Sequence, residues 1–275
     1  MTPTPTVTST PTPTVTPTPT ITPTPTLTPS EAKAILDKPM MVPRAMLFVD
    51  WRWSRPTDEI EITVEIQNDI EYRGQHGLYL IACTPFTIGD HGAYFGLQTD
   101  INTGPKGGWR NIGKGAIFSV WDVPNNQGVR GPQDSWVEAG DYEGDFLSVR
   151  TPYDWGSGRY TLRISAEETD DEGRWFGYYV NDTWMGSLKF PSARGEPKIQ
   201  LYCASTIEVY GARTVKPSAI PYWSVVVEPP KANGQPIIRV STHYPSNVGS
   251  LRNALVTLEN DAVRLEVGLD YIAHD

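Results

Sequence analysis

Carboxylates at alternate positions are the first residues in this sequence whose type and spacing could do chemistry. In Glu138-Ala-Gly-Asp-Tyr-Glu-Gly-Asp145, the side chains of Asp141, Glu143 and Asp145 share one face if the chain is extended. Paired carboxylates in a groove are what glycoside hydrolysis requires, one as acid and the other as nucleophile or base. The same oxygens would suit calcium. Because the flanking glycines favour a loop, we rank a solvated acidic loop first, a calcium site second and a catalytic Asp141 and Glu143 pair third.

Aromatic side chains in turn-like segments form the second candidate site. Trp109 and Arg110 lie in a glycine-rich stretch, Tyr153 and Trp155 lie in a segment rich in Pro and Gly, and Trp136 precedes the acidic run. An exposed indole or phenol suits a sugar, because the C–H face of the sugar packs on the ring while neighbouring donors bind its hydroxyls. These five residues are therefore the predicted ligand-binding set. An ordinary surface loop is the favoured alternative for the stretch around Trp109.

The two cysteines, Cys83 and Cys203, each lie in an apolar, strand-like run. They are either two buried small hydrophobic residues or a disulfide between two strands, and an exported protein would permit the disulfide. The sequence leaves both alternatives open, because it does not give the distance between the two Cα atoms.

Other motifs carry little chemistry. Residues 108–114 resemble a phosphate-binding loop, but Gly115 follows where Ser or Thr would bind magnesium, and a strand follows where a helix should begin. The acidic run Glu167-Glu-Thr-Asp-Asp-Glu172 is typical of a charged hairpin tip, with calcium as the alternative. The four histidines lack metal-ligand spacing.

The elements that must position these residues are β-strands. Ile60-Glu-Ile-Thr-Val-Glu-Ile66 alternates apolar and polar residues, and similar runs recur between turns of Gly, Asn, Asp and Pro. Asn181-Asp182 and Asn260-Asp261 each separate two such runs and predict tight hairpins. The pattern predicts an all-β antiparallel sandwich of the jelly-roll or concanavalin-like kind. We expect it to span residues 40–230, with 231–275 as further strands of it or a small β appendage.

A Thr/Pro-rich segment over residues 1–30 precedes this domain. Thr occupies every even position from Thr2 to Thr28, and Pro fills many odd ones. Because Pro fixes φ and cannot donate a backbone hydrogen bond, we expect a disordered, extended spacer of about 3.1 Å per residue. Such a spacer predicts a multimodular protein whose export signal and further domains lie upstream of Met1, which is secreted or attached to the cell surface.

The net charge of −9 argues against a nucleic-acid partner, which would require a basic surface. No apolar run approaches the roughly 18 residues that a membrane-spanning helix needs. No cofactor is expected beyond the candidate calcium.

Four short motifs follow one another along the middle of the chain: Tyr94-Phe-Gly-Leu-Gln98, Phe118-Ser-Val-Trp-Asp122, Glu143-Gly144 and Tyr153-Asp-Trp-Gly-Ser-Gly-Arg-Tyr160. Together they resemble a family of secreted bacterial domains of unknown function, over about residues 60–215. The hairpin at 175–190 also resembles one found in lamin-G and concanavalin-like binding modules. This resemblance implies a concanavalin-like sandwich, and it brings no catalytic residues that could be transferred.

Three functions follow as hypotheses. The first is an extracellular, non-catalytic module that binds a polysaccharide or other glycan, since spacers of this kind tether modules and raise their local concentration. The second is a glycoside hydrolase or lyase with paired carboxylates. The third is a cell-surface or adhesion domain with a protein partner, which should present a flat apolar patch instead of a groove.

Overall fold

The computed structural model describes residues 27–104, 110–123, 128–140, 145–192, 195–245 and 253–270, without the side chains of residues 238–240. Within these residues the chain forms two large antiparallel sheets packed face to face, as the alternating sequence predicts. The predicted all-β sandwich is therefore confirmed. The greater part of the predicted spacer, together with Trp109, Asp141 and Glu143, lies outside the described residues.

The eight-stranded sheet contains, in spatial order, β10 (Trp136–Gly140), β11 (Phe146–Pro152), β8 (Gly115–Trp121), β5 (His91–Gln98), β4 (His76–Ile88), β15 (Tyr202–Gly211), β2 (Arg44–Arg52) and β20 (Ile238–His243).

The ten-stranded sheet contains, in spatial order, β21 (Ala254–Glu259), β22 (Ala262–Val267), β17 (Trp223–Val227), β3 (Glu59–Ile66), β12 (Gly158–Thr169), β13 (Gly173–Val180), β14 (Thr183–Pro191) and β9 (Val129–Arg130), with β18 (Lys231–Ala232) and β19 (Gln235–Pro236) beside β3. The C-terminal strands β20, β21 and β22 thus belong to the two sheets of the sandwich.

Smaller elements lie outside the two large sheets. Two short ribbons pair β1 (Met40–Met41) with β16 (Thr214–Val215) and β6 (Asn102–Thr103) with β7 (Arg110–Asn111). A 3₁₀ turn covers Pro217–Ala219. Among the described residues, no helix is long and apolar enough to cross a membrane.

The helix α1 (Pro29–Leu36) begins inside the segment predicted as spacer. The side chain of Thr28 accepts a hydrogen bond from the backbone of Glu31, and the side chain of Glu31 accepts one from the backbone of Thr28. This reciprocal capping satisfies two amide groups at the start of the helix and fixes its first residue.

The core lies between the sheets and is built from the inward positions of each strand. In β3 every second side chain from Ile60 to Ile66 is buried, so burial follows the apolar–polar alternation of the sequence. Trp155 stacks on Trp223 inside this core, with ring centroids 5.6 Å apart. Burying a large apolar side chain of this kind contributes about 1.5–3 kcal/mol to stability.

The two predicted hairpin turns are confirmed. Asn181 and Asp182 connect β13 to β14 with φ angles of 47° and 62°, and Asn260 connects β21 to β22 with a φ of 52°. Asn and Asp adopt this left-handed backbone at lower cost than most residues. The turns hold each pair of strands in register.

The outward faces of the two sheets differ in chemistry. The ten-stranded sheet carries ion pairs there, such as Arg159 with Glu228, and Lys231 with Glu61 at 2.9 Å. The eight-stranded sheet carries tyrosines, a tryptophan and amides at its outward positions, many of them buried. The candidate site therefore lies on the outward face of the eight-stranded sheet.

Candidate ligand-binding groove

A groove of about 350 Å³ lies on the outward face of the eight-stranded sheet. It runs across β11, β8, β5, β4 and β15, which are consecutive neighbours in that sheet. The lining residues are mainly aromatic, amide and charged: Pro43, Tyr79, Ile81, Thr84, Tyr94, Gln98, Asn102, Ile117, Trp121, Arg150, Glu208, Tyr210 and Gly211.

Strand register brings these residues together from distant parts of the sequence. Tyr79 on β4 lies between Glu208 on β15 and Gln98 on β5, so the three side chains form one row across the sheet. Gly96 lies on the same face one step further along β5. A Cβ at Gly96 would lie 1.9 Å from the backbone oxygen of Leu80, so this close approach requires glycine.

Aromatic rings form one wall of the groove. The rings of Tyr94 and Trp121 have centroids 5.9 Å apart and are tilted by 38°, and Tyr79 meets Tyr94 edge-on at 6.0 Å. Phe146 packs edge-on against Trp121 at 5.7 Å. Because each ring is supported by its neighbour, the half-buried Trp121 and Tyr94 present a fixed apolar surface to the groove.

The hydroxyl of Tyr79 is the most unusual polar group in the groove. The side chain is only 2% exposed, and its oxygen has no hydrogen-bond partner among the described residues. Burial, with smaller contributions from Tyr94 and Glu208, raises the pKa of Tyr79 well above its ordinary value, so the phenol stays protonated. A buried, unpaired O–H group is costly, and a ligand oxygen would satisfy it if the neighbouring side chains shift, because the hydroxyl is closed to water in this structure.

Tyr210 lines the same groove, but its hydroxyl has hydrogen-bond partners. Its hydroxyl donates to the backbone oxygen of Asp100 at 2.7 Å and accepts from the backbone N–H of Asp100 at 3.1 Å. Burial also raises the pKa of Tyr210. Tyr210 therefore has a structural role that its neighbour Tyr79 lacks.

A buried ion pair closes one end of the groove. The guanidinium of Arg150 contacts the carboxylate of Glu138 and donates to the backbone oxygen of Asn102 at 3.1 Å, with side-chain exposures of 13% for Arg150 and 9% for Glu138. Burying two charges is offset only when they are paired and hydrogen-bonded. Trp136, one of the predicted ligand-binding residues, lies directly opposite Arg150 on the outermost strand β10 but does not line the groove.

The prediction that Trp155 is exposed was wrong. Its side chain is 1% exposed, its Nε1–H donates to the backbone oxygen of Gln98 at 3.2 Å, and the ammonium of Lys114 lies 4.8 Å from its ring centroid. The segment crosses the end of the sandwich, and the indole fills the space between the sheets. Trp155 is therefore a core residue and cannot stack on a ligand.

Tyr153 is also more buried than its turn-like sequence context predicts. It is half-buried against the core, and its ring meets that of Tyr160 edge-on at 6.4 Å. Neither Tyr153 nor the exposed Arg110 on β7 lines the groove.

Among the acidic candidates, only Asp145 is described. It is exposed, and its backbone oxygen accepts from the backbone N–H of Asp122 at 2.8 Å. In the part of the chain that the structure describes, no cluster of His, Cys, Asp and Glu could hold a metal ion. The calcium site and the catalytic pair at Asp141 and Glu143 stay predictions.

The second acidic run forms a hairpin tip between β12 and β13, as predicted. Asp170 accepts hydrogen bonds from the backbone of Glu172 at 2.9 Å and Gly173 at 3.0 Å, and pairs with Lys189 at 2.9 Å. Lys189 is the main cause that lowers the pKa of Asp170 to about 2. The ammonium group of Lys189 thus offsets part of the negative charge of this tip.

The sequence did not single out most of the groove residues. Tyr79, Tyr94, Gln98, Arg150 and Glu208 lie on four different strands, and only the order of those strands in the sheet makes them neighbours. The available signal was the presence of polar or aromatic residues at the outward positions of otherwise apolar strands. Alternation did place Trp121 and Ile117 on one face, opposite Phe118.

Comparisons with known proteins return only a distant likeness. No protein-family description matches the chain, and no curated protein sequence is significantly similar. A scytalido-glutamic peptidase with a transition-state analogue inhibitor is similar over 84% of this chain and 100% of its own, at 10% identity and a TM-score of 0.40. SCP-B, a member of the Eqolisin family in complex with a tripeptide, is similar over the same shares at 8% identity and a TM-score of 0.37. At such scores the likeness carries no argument about function.

Proposed function

We propose that this chain is an extracellular, non-catalytic module that binds carbohydrate in the groove of the eight-stranded sheet. The observation that carries the proposal is the pairing of supported aromatic rings with a buried, unpartnered hydroxyl on Tyr79. Sugars present both features that such a site recognises, an apolar C–H face and a rim of hydroxyl groups.

The geometry suggests how a sugar would bind. Its C–H face packs on Trp121 and Tyr94, while the hydroxyl of Tyr79 and the amides of Gln98 and Asn102 bind its oxygens. A volume of about 350 Å³ lies at the lower end of the range for small-molecule sites. A short stretch of one glycan chain is therefore the expected ligand, with the rest of the polymer leaving through the open side.

A groove favours this ligand class over a protein partner. The large apolar side chains that are exposed in the described residues come from six separate segments of the chain, and a protein interface would need a contiguous patch. The scattered residues are Met41, Ile112, Val137, Leu201, Tyr222 and Leu258.

The Thr/Pro-rich segment supports an auxiliary role. A tethered module raises the concentration of its neighbouring domains at the surface it binds. Secretion, and the existence of further domains in the same polypeptide, belong to this proposal.

The proposal is tested by affinity electrophoresis and calorimetry with cellulose, xylan, chitin and pectin preparations. We expect binding to at least one of them, and we expect Trp121→Ala and Tyr94→Ala to weaken it at least tenfold. Tyr222→Ala is the matched control, because Tyr222 is an exposed aromatic residue just before β17 of the other sheet and does not line the groove.

Two outcomes would contradict this function. Absence of binding to every polysaccharide would reject carbohydrate as the ligand. Release of new reducing ends in the same incubation would show that the protein hydrolyses the polysaccharide. Asp141 and Glu143 would then be the candidate catalytic residues.

A further inference from the structure

Cys83 and Cys203 are the two cysteines of the chain, and both are completely buried in the core between the sheets. Cys83 lies on β4 and Cys203 on β15, which are adjacent strands of the eight-stranded sheet. Both are unbonded thiols in this structure. Neither takes part in the proposed ligand site, which lies on the opposite face of these strands.

An irregularity in β4 turns Cys83 toward the core. The pairing of β4 with β5 loses register on both sides of Cys83, and the consecutive residues Ala82 and Cys83 both point into the core cluster. Regular alternation would have sent one of them to the outward face. A bulge re-aims a side chain in this way, and here it brings Cys83 to the face that Cys203 occupies.

The register between β4 and β15 places the two cysteines side by side. The ladder between β4 and β15 ends at the pair Ile81 and Thr206, and continuing its antiparallel count would place Cys203 one position from the residue opposite Cys83. Neighbouring strands lie about 4.8 Å apart and one residue adds about 3.4 Å along a strand, so this offset corresponds to about 6 Å between the two Cα atoms, inside the roughly 4.4–6.8 Å that a disulfide spans. Cys203 is also close enough to contribute to the raised pKa of Cys83, after the larger effect of burial.

We propose that Cys83 and Cys203 form an intramolecular disulfide when the chain folds under oxidising conditions. The two S–H bonds break, one S–S bond forms, and two protons and two electrons leave. The electrons reduce the disulfide of a thiol–disulfide oxidant, which becomes a dithiol, through a mixed disulfide with one of the two cysteines.

The bond forms before the core closes. In the folded protein both sulfur atoms are inaccessible, and burial raises the pKa of Cys83 well above its ordinary value, so the attacking thiolate is absent. An oxidant therefore reaches the cysteines in the unfolded or partly folded chain, and the completed sandwich then protects whichever redox state was trapped.

The test begins with the full chain, unfolded in reductant and refolded either with a mixture of oxidised and reduced glutathione or with reduced dithiothreitol. Each product is unfolded without reductant, alkylated and weighed by mass spectrometry. We expect no alkylated cysteine after oxidative refolding, two after reductive refolding, and a peptide containing both Cys83 and Cys203 in the oxidised digest. Two alkylated cysteines in the oxidised product, or a disulfide-linked dimer on a non-reducing gel, would overturn the proposal.

A second arm tests the protection by the fold. Oxidised glutathione added to the reduced, folded protein should leave both thiols free for as long as the protein stays folded. Rapid formation of the disulfide would contradict the claim that the folded core protects the two thiols. The melting temperature of the oxidised form should exceed that of the reduced form by about 10 °C, because the bond closes a long loop. The double variant with Cys83→Ala and Cys203→Ala should show no such difference.

Discussion

At the scale of single residues, burial separates the aromatic side chains that can meet a ligand from those that cannot. Sequence context indicated that Trp155 is exposed, because Pro and Gly surround it, yet its indole is buried with its N–H satisfied. Tyr79 shows the reverse, since it lies in an apolar strand and is almost completely buried. Its hydroxyl is nevertheless left without a partner at the edge of a groove.

Substitution of Tyr79 by Phe tests this unpartnered hydroxyl. Tyr79→Phe should leave the melting temperature unchanged or slightly higher, because no protein hydrogen bond is lost. Affinity for the bound glycan should fall by about fivefold, the equivalent of roughly 1 kcal/mol.

Tyr210→Phe is the matched control for that variant. It removes a hydroxyl that bonds to the backbone of Asp100, so it should lower stability by about 1 kcal/mol. Equal glycan affinity in Tyr79→Phe and the wild-type protein, measured by calorimetry, would remove Tyr79 from the site.

Trp155 should behave as a core residue. Trp155→Ala should destabilise the fold by about 3–5 kcal/mol in urea unfolding, since it leaves a cavity beside Trp223. Trp121→Ala, on the outward face, should cost much less stability and much more affinity. The opposite ranking in unfolding experiments would place Trp155 at the surface.

At the scale of elements, period-two alternation and turn residues were sufficient to predict the strands and both tight hairpins. Alternation and turn residues do not predict the order of strands in the sheets. For example, β15 pairs with β4 although more than a hundred residues separate them in the sequence. The groove depends on that order, so its residues stayed hidden among ordinary strand positions. The bulge that turns Cys83 inward was equally invisible, since it depends on register with two neighbouring strands.

The turn at Asn181 offers a test of the hairpin that it closes. Asn181 has a positive φ, and its side-chain oxygen accepts from the backbone N–H of Thr161 at 2.8 Å. Asn181→Val should therefore cost about 2 kcal/mol in urea unfolding, from backbone strain and the lost hydrogen bond. Asp182→Gly at the next position should be nearly neutral, and an equally mild Asn181→Val would argue against the left-handed turn.

The acidic hairpin tip makes a prediction about pH. Asp170 has a pKa lowered to about 2, chiefly by Lys189, so the ionised form is favoured by folding. Its stabilising contribution is present above the ordinary carboxyl pKa of about 4 and is lost as the pH falls through about 2.

NMR titration of the Asp170 carboxyl carbon measures this shift directly. The midpoint should lie near 2 in the wild-type protein. It should rise toward the ordinary value in Lys189→Met, because the ammonium group is removed. An unshifted midpoint in the wild-type protein would show that Lys189 does not stabilise the ionised form of Asp170.

At the scale of the whole molecule, the outward faces of the two sheets differ in their surface chemistry. The ten-stranded sheet presents exposed ion pairs that keep its surface solvated, and such pairs add little stability each. The eight-stranded sheet keeps its polar and aromatic groups in a groove. The proposed function joins that groove to an acidic domain that follows a Thr/Pro-rich segment, which would bring neighbouring domains to a glycan surface.

The most direct measurement of the central claim is the indole N–H spectrum of the ¹⁵N-labelled protein during titration with cellohexaose, xylohexaose or chitohexaose. We expect saturable shifts at the Trp121 indole and the Tyr94 and Gln98 amides with at least one oligosaccharide. The buried Trp155 and Trp223 indoles should shift little. Absence of shifts with every oligosaccharide, or saturable shifts confined to residues outside the groove, would contradict carbohydrate binding at this site.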